Sequence, residues 1–136
     1  MKKKELVYRE ILYEVIEKKT RTMTQAELSR KLKISLSTVN NAIKPLVKMN
    51  ALYIEKRCFK IIDPKKILYY WASVRNIEKD IIYKTRAEKQ VKQIESEMPS
   101  HIIFTAYSGY KFKFKDVPAD YSEVYVYADE ETKKEI

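Results

Sequence analysis

The sequence predicts a mainly helical fold with a small β content (α+β), and three observations predict it. Two short apolar-periodic stretches, Gln25 to Lys33 and Leu36 to Met49, each open on a hydroxyl side chain and are separated by about three residues. Two strand-like runs, Leu52 to Arg57 and Phe59 to Ile62, follow at once, and β-rich runs return only at Ile102 to Ala106 and Glu123 to Ala128. In that order the elements describe an N-terminal winged helix-turn-helix over residues 1–62, a helical linker or packing segment over 63–100, and a small α/β portion over 101–136.

Leu6, Val7, Ile11, Leu12, Val15 and Ile16 recur at helical spacing, so a first helix is expected from about Lys3 to Lys18. Glu5, Arg9, Glu10, Glu14, Glu17 and Lys18 then form its solvent face. Lys2, Lys3 and Lys4 precede it, either as phosphate contacts or as a frayed end. Thr24-Gln25-Ala26-Glu27 is a capping box, in which the hydroxyl accepts from the backbone N–H three residues on while the glutamate reaches back. The helix it starts carries Ala26, Leu28 and Leu32 and stops near Lys33, because Ser35, with Thr38 beyond it, offers a fresh cap.

The helix after Ser35 spaces Val39, Ile43, Leu46 and Val47 at intervals of three and four, which puts them on one face. Ser37, Thr38, Asn40, Asn41 and Lys44 point the other way, and they are types that reach base edges and phosphates without bulk. Asparagine suits adenine, which offers a donor and an acceptor side by side. Pro45 removes the hydrogen bond to Asn41 and should bend the helix, at a cost of about 3 kcal/mol in an ordinary interior. Asn50 is a candidate left-handed cap, and the hairpin that follows carries Lys56, Arg57 and Lys60 at or near its tip. The candidate DNA contacts are therefore Thr24, Gln25, Ser35, Ser37, Thr38, Asn40, Asn41 and Lys44 in the helix pair, with Lys56, Arg57 and Lys60 in the wing.

Beyond the wing, Asp63-Pro64 is a helix start, followed by the stripe Ile67, Leu68, Trp71 and Val74, with the tryptophan as a core anchor. A long charged helix is expected from Ile77 to Met98, packing within the chain or pairing with a second copy. Residues Tyr107 to Lys115 fit a strand or a short helix equally, Val117-Pro118-Ala119-Asp120 is a turn, and Asp129 caps a final helix over Glu130 to Ile136. Two strands alone seldom hold a sheet, so this portion must lean on a helix, a partner or further residues.

Composition narrows the function. The chain has 136 residues, 45% of them hydrophobic, enough for a core. No run approaches a membrane span and Met1-Lys2-Lys3-Lys4-Glu5 lacks a signal peptide's apolar stretch, so a cytoplasmic protein away from membranes is expected. With one cysteine, Cys58, and one histidine, His101, neither a disulfide nor a zinc site is expected, and no cofactor motif is present. The net charge of +9 is concentrated: residues 1–62 hold 15 Lys and Arg against 6 Asp and Glu, whereas 101–136 hold 5 against 7. Counterion release from a polyanion rewards such a concentration.

Asp63-Pro64-Lys65-Lys66-Ile67-Leu68-Tyr69-Tyr70-Trp71-Ala72, then Phe104-Thr105-Ala106-Tyr107-Ser108-Gly109-Tyr110 and a Val-Tyr-Val strand, together with the winged module, resemble the AbiEi-type antitoxin transcriptional regulators of type IV toxin–antitoxin systems and their archaeal relatives. The resemblance implies an N-terminal winged helix that binds operator DNA and represses its own operon, and a C-terminal α/β domain that counters a cognate toxin. By position its DNA-reading helix falls on Ser35 to Lys44 and its wing on Tyr53 to Ile61. The chain ends at Ile136, where that family's second domain continues, and two expectations stand for it: a truncated piece of such a protein, or a short, regulator-only relative.

Catalysis is not expected. A nucleotidyltransferase would need a Gly-Ser pair and two carboxylates one residue apart on a strand; here Ser108 precedes the sole glycine, Gly109, and no such acid pair lies on a strand. The reading is a double-stranded DNA-binding regulator, with a homodimer left open. The alternative is single-stranded nucleic acid or protein binding through Tyr107, Tyr110, Phe112 and Phe114 interleaved with Lys111, Lys113 and Lys115.

Overall fold

The N-terminal helix of the computed structural model, α1 (Lys3–Ile16), seeds a core with α2 (Gln25–Leu32) and α3 (Leu36–Lys48). Described residues are 1–117 and 119–136, which fall into two units, Met1–Ile81 and Ile82–Ile136. Among them the chain is about half helical, with six α-helices and two small sheets, so the α+β expectation holds.

In the first unit Val7, Ile11, Val39, Ile43 and Leu46 meet at the centre, each at most 1% exposed. The local signals act as the sequence implies. The Glu27 backbone N–H donates to Thr24 Oγ1 and the Thr24 N–H to Glu27 Oε2, both at 3.1 Å, which starts α2. Lys33 ends it in the left-handed region at φ 52°, and the Thr38 N–H donates to Ser35 Oγ at 3.1 Å to start α3. α3 runs through Pro45 as one 13-residue helix. Asn50, at φ 55°, turns the chain into β2 (Leu52–Ile54), which pairs antiparallel with β3 (Phe59–Ile61).

Two features were not expected. Residues Thr22–Met23 form a short strand, β1, that pairs with β3 through Thr22↔Lys60 and Met23↔Phe59, giving the sheet order β1-β3-β2. β1 runs straight into the Thr24 cap, so the wing's return strand fixes where α2 begins. The second concerns α1, whose Glu5 and Glu10, expected at the surface, are only 6% and 4% exposed. Each has a partner from elsewhere in the fold: Glu10 pairs with Lys31 at 2.5 Å, while Glu5 accepts from the Lys2 backbone at 2.6 Å and the Trp71 indole at 3.2 Å.

α4 (Pro64–Val74), capped by Asp63 accepting from the Lys66 N–H at 3.2 Å, packs on α1. Ile67 is fully buried and Tyr70 and Trp71 lie against the core, so this helix belongs to the first unit, which extends to Ile81 instead of ending at residue 62.

The long helix over Ile77 to Met98 is not formed. Its place is taken by a 3₁₀ turn (Ile77–Lys79) and irregular chain up to α5 (Val91–Glu97). The apolar stripe lapses after Ile81, where Lys84 and Thr85 occupy the positions that should continue it, and the adjacent Ile81, Ile82 and Tyr83 are weak helix formers.

In the second unit β4 (Ile103–Thr105) and β5 (Tyr125–Tyr127) pair antiparallel, as expected. The ambiguous segment is a helix, α6 (Ala106–Phe114), that leaves β4 directly through Ala106 at φ 51°. Glu95 of α5, 8% exposed, forms an ion pair with Lys111 of α6 and accepts from the Tyr121 hydroxyl at 2.6 Å. The expected turn around Pro118 includes a position outside the described residues. The last helix is reduced to a 3₁₀ turn, Thr132–Lys134, whose Thr132 N–H donates to Asp129 at 2.8 Å.

Candidate nucleic-acid interface

Core packing of Val39, Ala42, Ile43 and Leu46 turns the opposite side of α3 outward. Ser37, Asn41 and Lys44 are exposed there, and Lys44 Nζ donates to Asn41 Oδ1 at 3.5 Å. Asn40 is half-buried, because its Nδ2 donates to Oε1 of Gln25, the first residue of α2, at 3.3 Å. Thr24, Ser35 and Thr38 serve the backbone: the first two are helix caps, and the Ser35 and Thr38 hydroxyls lie 2.8 Å apart.

The wing loop closes on itself where the Glu55 N–H donates to the Cys58 carbonyl at 2.8 Å, which leaves Lys56 and Arg57 exposed at its tip. Among the described residues neither cation makes a hydrogen bond or ion pair. Lys60 stands on the exposed sheet face between Thr22 and Tyr53, its cross-strand neighbours. Glu55 is a local counter-charge; it accepts from the Cys58 thiol at 3.4 Å and, by hydrogen bonding, raises the pKa of Cys58 and of the Tyr53 hydroxyl.

The structure thus joins Gln25 to Asn40 and Asn41 to Lys44, and it keeps the wing cations separate from that set. Sequence reasoning missed Leu36, which is 54% exposed at the first position of α3. Spacing alone pointed the other way, since Leu36 lies three residues before Val39 and seven before Ile43 as well as four before Asn40, at the border of the core stripe and the reading face. Thr22, which flanks Lys60 from β1, was missed because β1 was.

The charge follows the fold. The first unit carries 19 Lys and Arg against 9 Asp and Glu, the second 9 against 10. Residues 9–52 match the family model for winged helix-turn-helix DNA-binding domains. Neither a curated protein nor a solved structure matches the chain. In this winged helix domain α2 and α3 are the helix-turn-helix pair and the β2–β3 hairpin, which continues past the matched residues to Ile61, is the wing.

The Lys- and Tyr-rich α6 is arranged differently. As a helix it does not sort lysines and rings onto opposite faces; Lys111 is held by Glu95, Phe112 lies 4.9 Å from Phe104, and Tyr107 stacks on Tyr121 at 5.4 Å. Among the described residues no helix is long and apolar enough to cross a membrane, and no group of three or more His, Cys, Asp or Glu could hold a metal ion.

Proposed function

We propose that the winged helix domain makes this chain a sequence-selective regulator of transcription that docks α3 in the major groove of double-stranded DNA and lays the wing on flanking phosphates. The observation that carries the reading is the division of α3 into a buried stripe and an outward face of Ser37, Asn40, Asn41 and Lys44 on the strongly cationic unit. Small polar side chains specify bases and exposed cations fix position. Repression of its own operon is the mode of regulation, on the resemblance to AbiEi-type regulators, and pairing of two copies on a palindrome belongs to the same proposal. The role is one of binding, without a catalytic step.

A mobility-shift series on promoter and random duplexes tests it. Arg57→Ala should weaken binding to all sequences alike and reduce the salt slope by about 1, whereas Asn41→Ala should cost roughly 1–3 kcal/mol at the preferred site alone. A promoter–reporter assay should show lower expression with the chain present. Binding that ignores Arg57 and Asn41 yet is lost when Lys111, Lys113 and Lys115 are changed would move the activity to the second unit and overturn the proposal.

A further inference from the structure

The reading face of α3 has a chemical bias that its polarity alone conceals. Leu36 is more than half exposed, whereas Val39, Ala42, Ile43 and Leu46 of the same helix are buried. It borders both faces of the helix, seven residues before the buried Ile43 and one turn before Asn40, with Ser37 beside it, and its exposure places it at the edge of the reading face. An exposed leucine there costs hydration unless a ligand covers it, and in the major groove the one apolar group on a base edge is the C5-methyl of thymine.

The amides point the same way. Asn40 and Gln25 hydrogen-bond amide to amide at 3.3 Å, so one carbonyl and one amino group are used on each other. Whichever way the two amides are turned, the pair keeps one carbonyl and one amino group to offer outward. An acceptor beside a donor is what the N6 amino group and N7 of adenine require. Guanine, by contrast, asks for two donors, best supplied by arginine, and α3 contains none; its Lys44 is drawn toward Asn41 at 3.5 Å.

We infer that this surface selects A·T pairs, with Leu36 packing on thymine methyls and the Gln25–Asn40 amide pair, held as one unit, reading adenine. Gln25 acts here as a positioning residue that sets the angle of Asn40. The inference rests on the major-groove reading above, and its test is built to fail separately from it.

The full chain is first used to select from a random duplex pool, and the selected duplex is remade with deoxyuridine for thymidine, which removes only the C5-methyl, and with 7-deazaadenine for adenine. An A·T-containing half-site is expected, with affinity falling about fourfold for each methyl contacted. Leu36→Ala, at an exposed position that the fold does not need, should bind the thymidine and deoxyuridine duplexes equally. Gln25→Ala should narrow the adenine-over-guanine preference at one base pair while the preferences at the other base pairs of the selected site are kept. Tight binding to a G·C half-site, or indifference of the wild type to the missing methyl, overturns the inference and leaves groove docking in place. Failure to retain any duplex overturns both.

Discussion

The indole N–H of Trp71 donates to Glu5 Oε1 at 3.2 Å, joining α4 to α1 across 66 positions of sequence. The acceptor is a carboxylate 6% exposed, and the Arg75 guanidinium lies 3.6 Å from the same oxygen. Hydrogen bonds to charged groups contribute about 1.5–3 kcal/mol. Trp71→Phe keeps most of the ring packing but removes the donor, and should lower the urea-unfolding stability by about 2 kcal/mol. An unchanged midpoint would mean that the bond adds nothing to the docking of α4.

The start of α3 depends on Ser35 in the same local way. With its hydroxyl accepting from the Thr38 N–H at 3.1 Å, Ser35→Ala should cost about 1 kcal/mol and Ser35→Gly only a few tenths. Because that turn also presents Leu36 and Ser37, DNA affinity should drop further in the alanine variant than in the glycine one. Equal loss in both would assign Ser35 a direct contact with DNA instead of a capping role.

Features closed within one turn of chain were legible in the sequence. Thr24, Ser35 and Asp63 each satisfy a backbone N–H three residues on, and the outward face of α3 follows from the spacing of Val39, Ile43 and Leu46. What depended on distant partners was not legible. β1 is two residues long and owes its existence to β3, and Glu5 and Glu10 are polar by composition but buried by Trp71, Arg75 and Lys31. Within the candidate site, Asn40 could be placed by periodicity, whereas its pairing with Gln25 across 15 residues could not.

Glu14 gives the first unit a defined acid sensitivity. Hydrogen bonds from Lys31 at 2.8 Å and Lys18 at 2.9 Å hold its pKa down to about 2 from the ordinary 4.5, with Glu10 sharing Lys31. The folded value lies below the unfolded one, so Glu14 stabilises the fold fully above pH 4.5 and progressively less as the pH falls toward 2. The Tm difference between wild type and Glu14→Gln should therefore be largest near neutrality and shrink through that window, and added salt should reduce it because the cluster is partly exposed. A difference that stays constant with pH would detach Glu14 from the acid response.

Gly109 offers a prediction whose sign is decisive. It lies inside α6, where replacing glycine by alanine ordinarily stabilises a helix by roughly 0.8–1.0 kcal/mol. Here a methyl group would stand 2.8 Å from the Phe104 carbonyl oxygen and 3.2 Å from its carbon, backbone atoms of β4 that cannot swing aside. The tight exit at Ala106, φ 51°, and the Phe104–Phe112 ring contact at 4.9 Å hold the helix at that distance. A two-stranded sheet has little stability without something packed on it, so separating α6 from β4 should loosen the whole second unit. Gly109→Ala should therefore destabilise that unit by about 1–3 kcal/mol, seen as faster amide exchange in β4 and β5 and faster tryptic cleavage at Lys111, Lys113 and Lys115, with DNA affinity unchanged. Slower exchange in the variant would mean that helix propensity outweighs the clash and that α6 does not rest on β4 so closely.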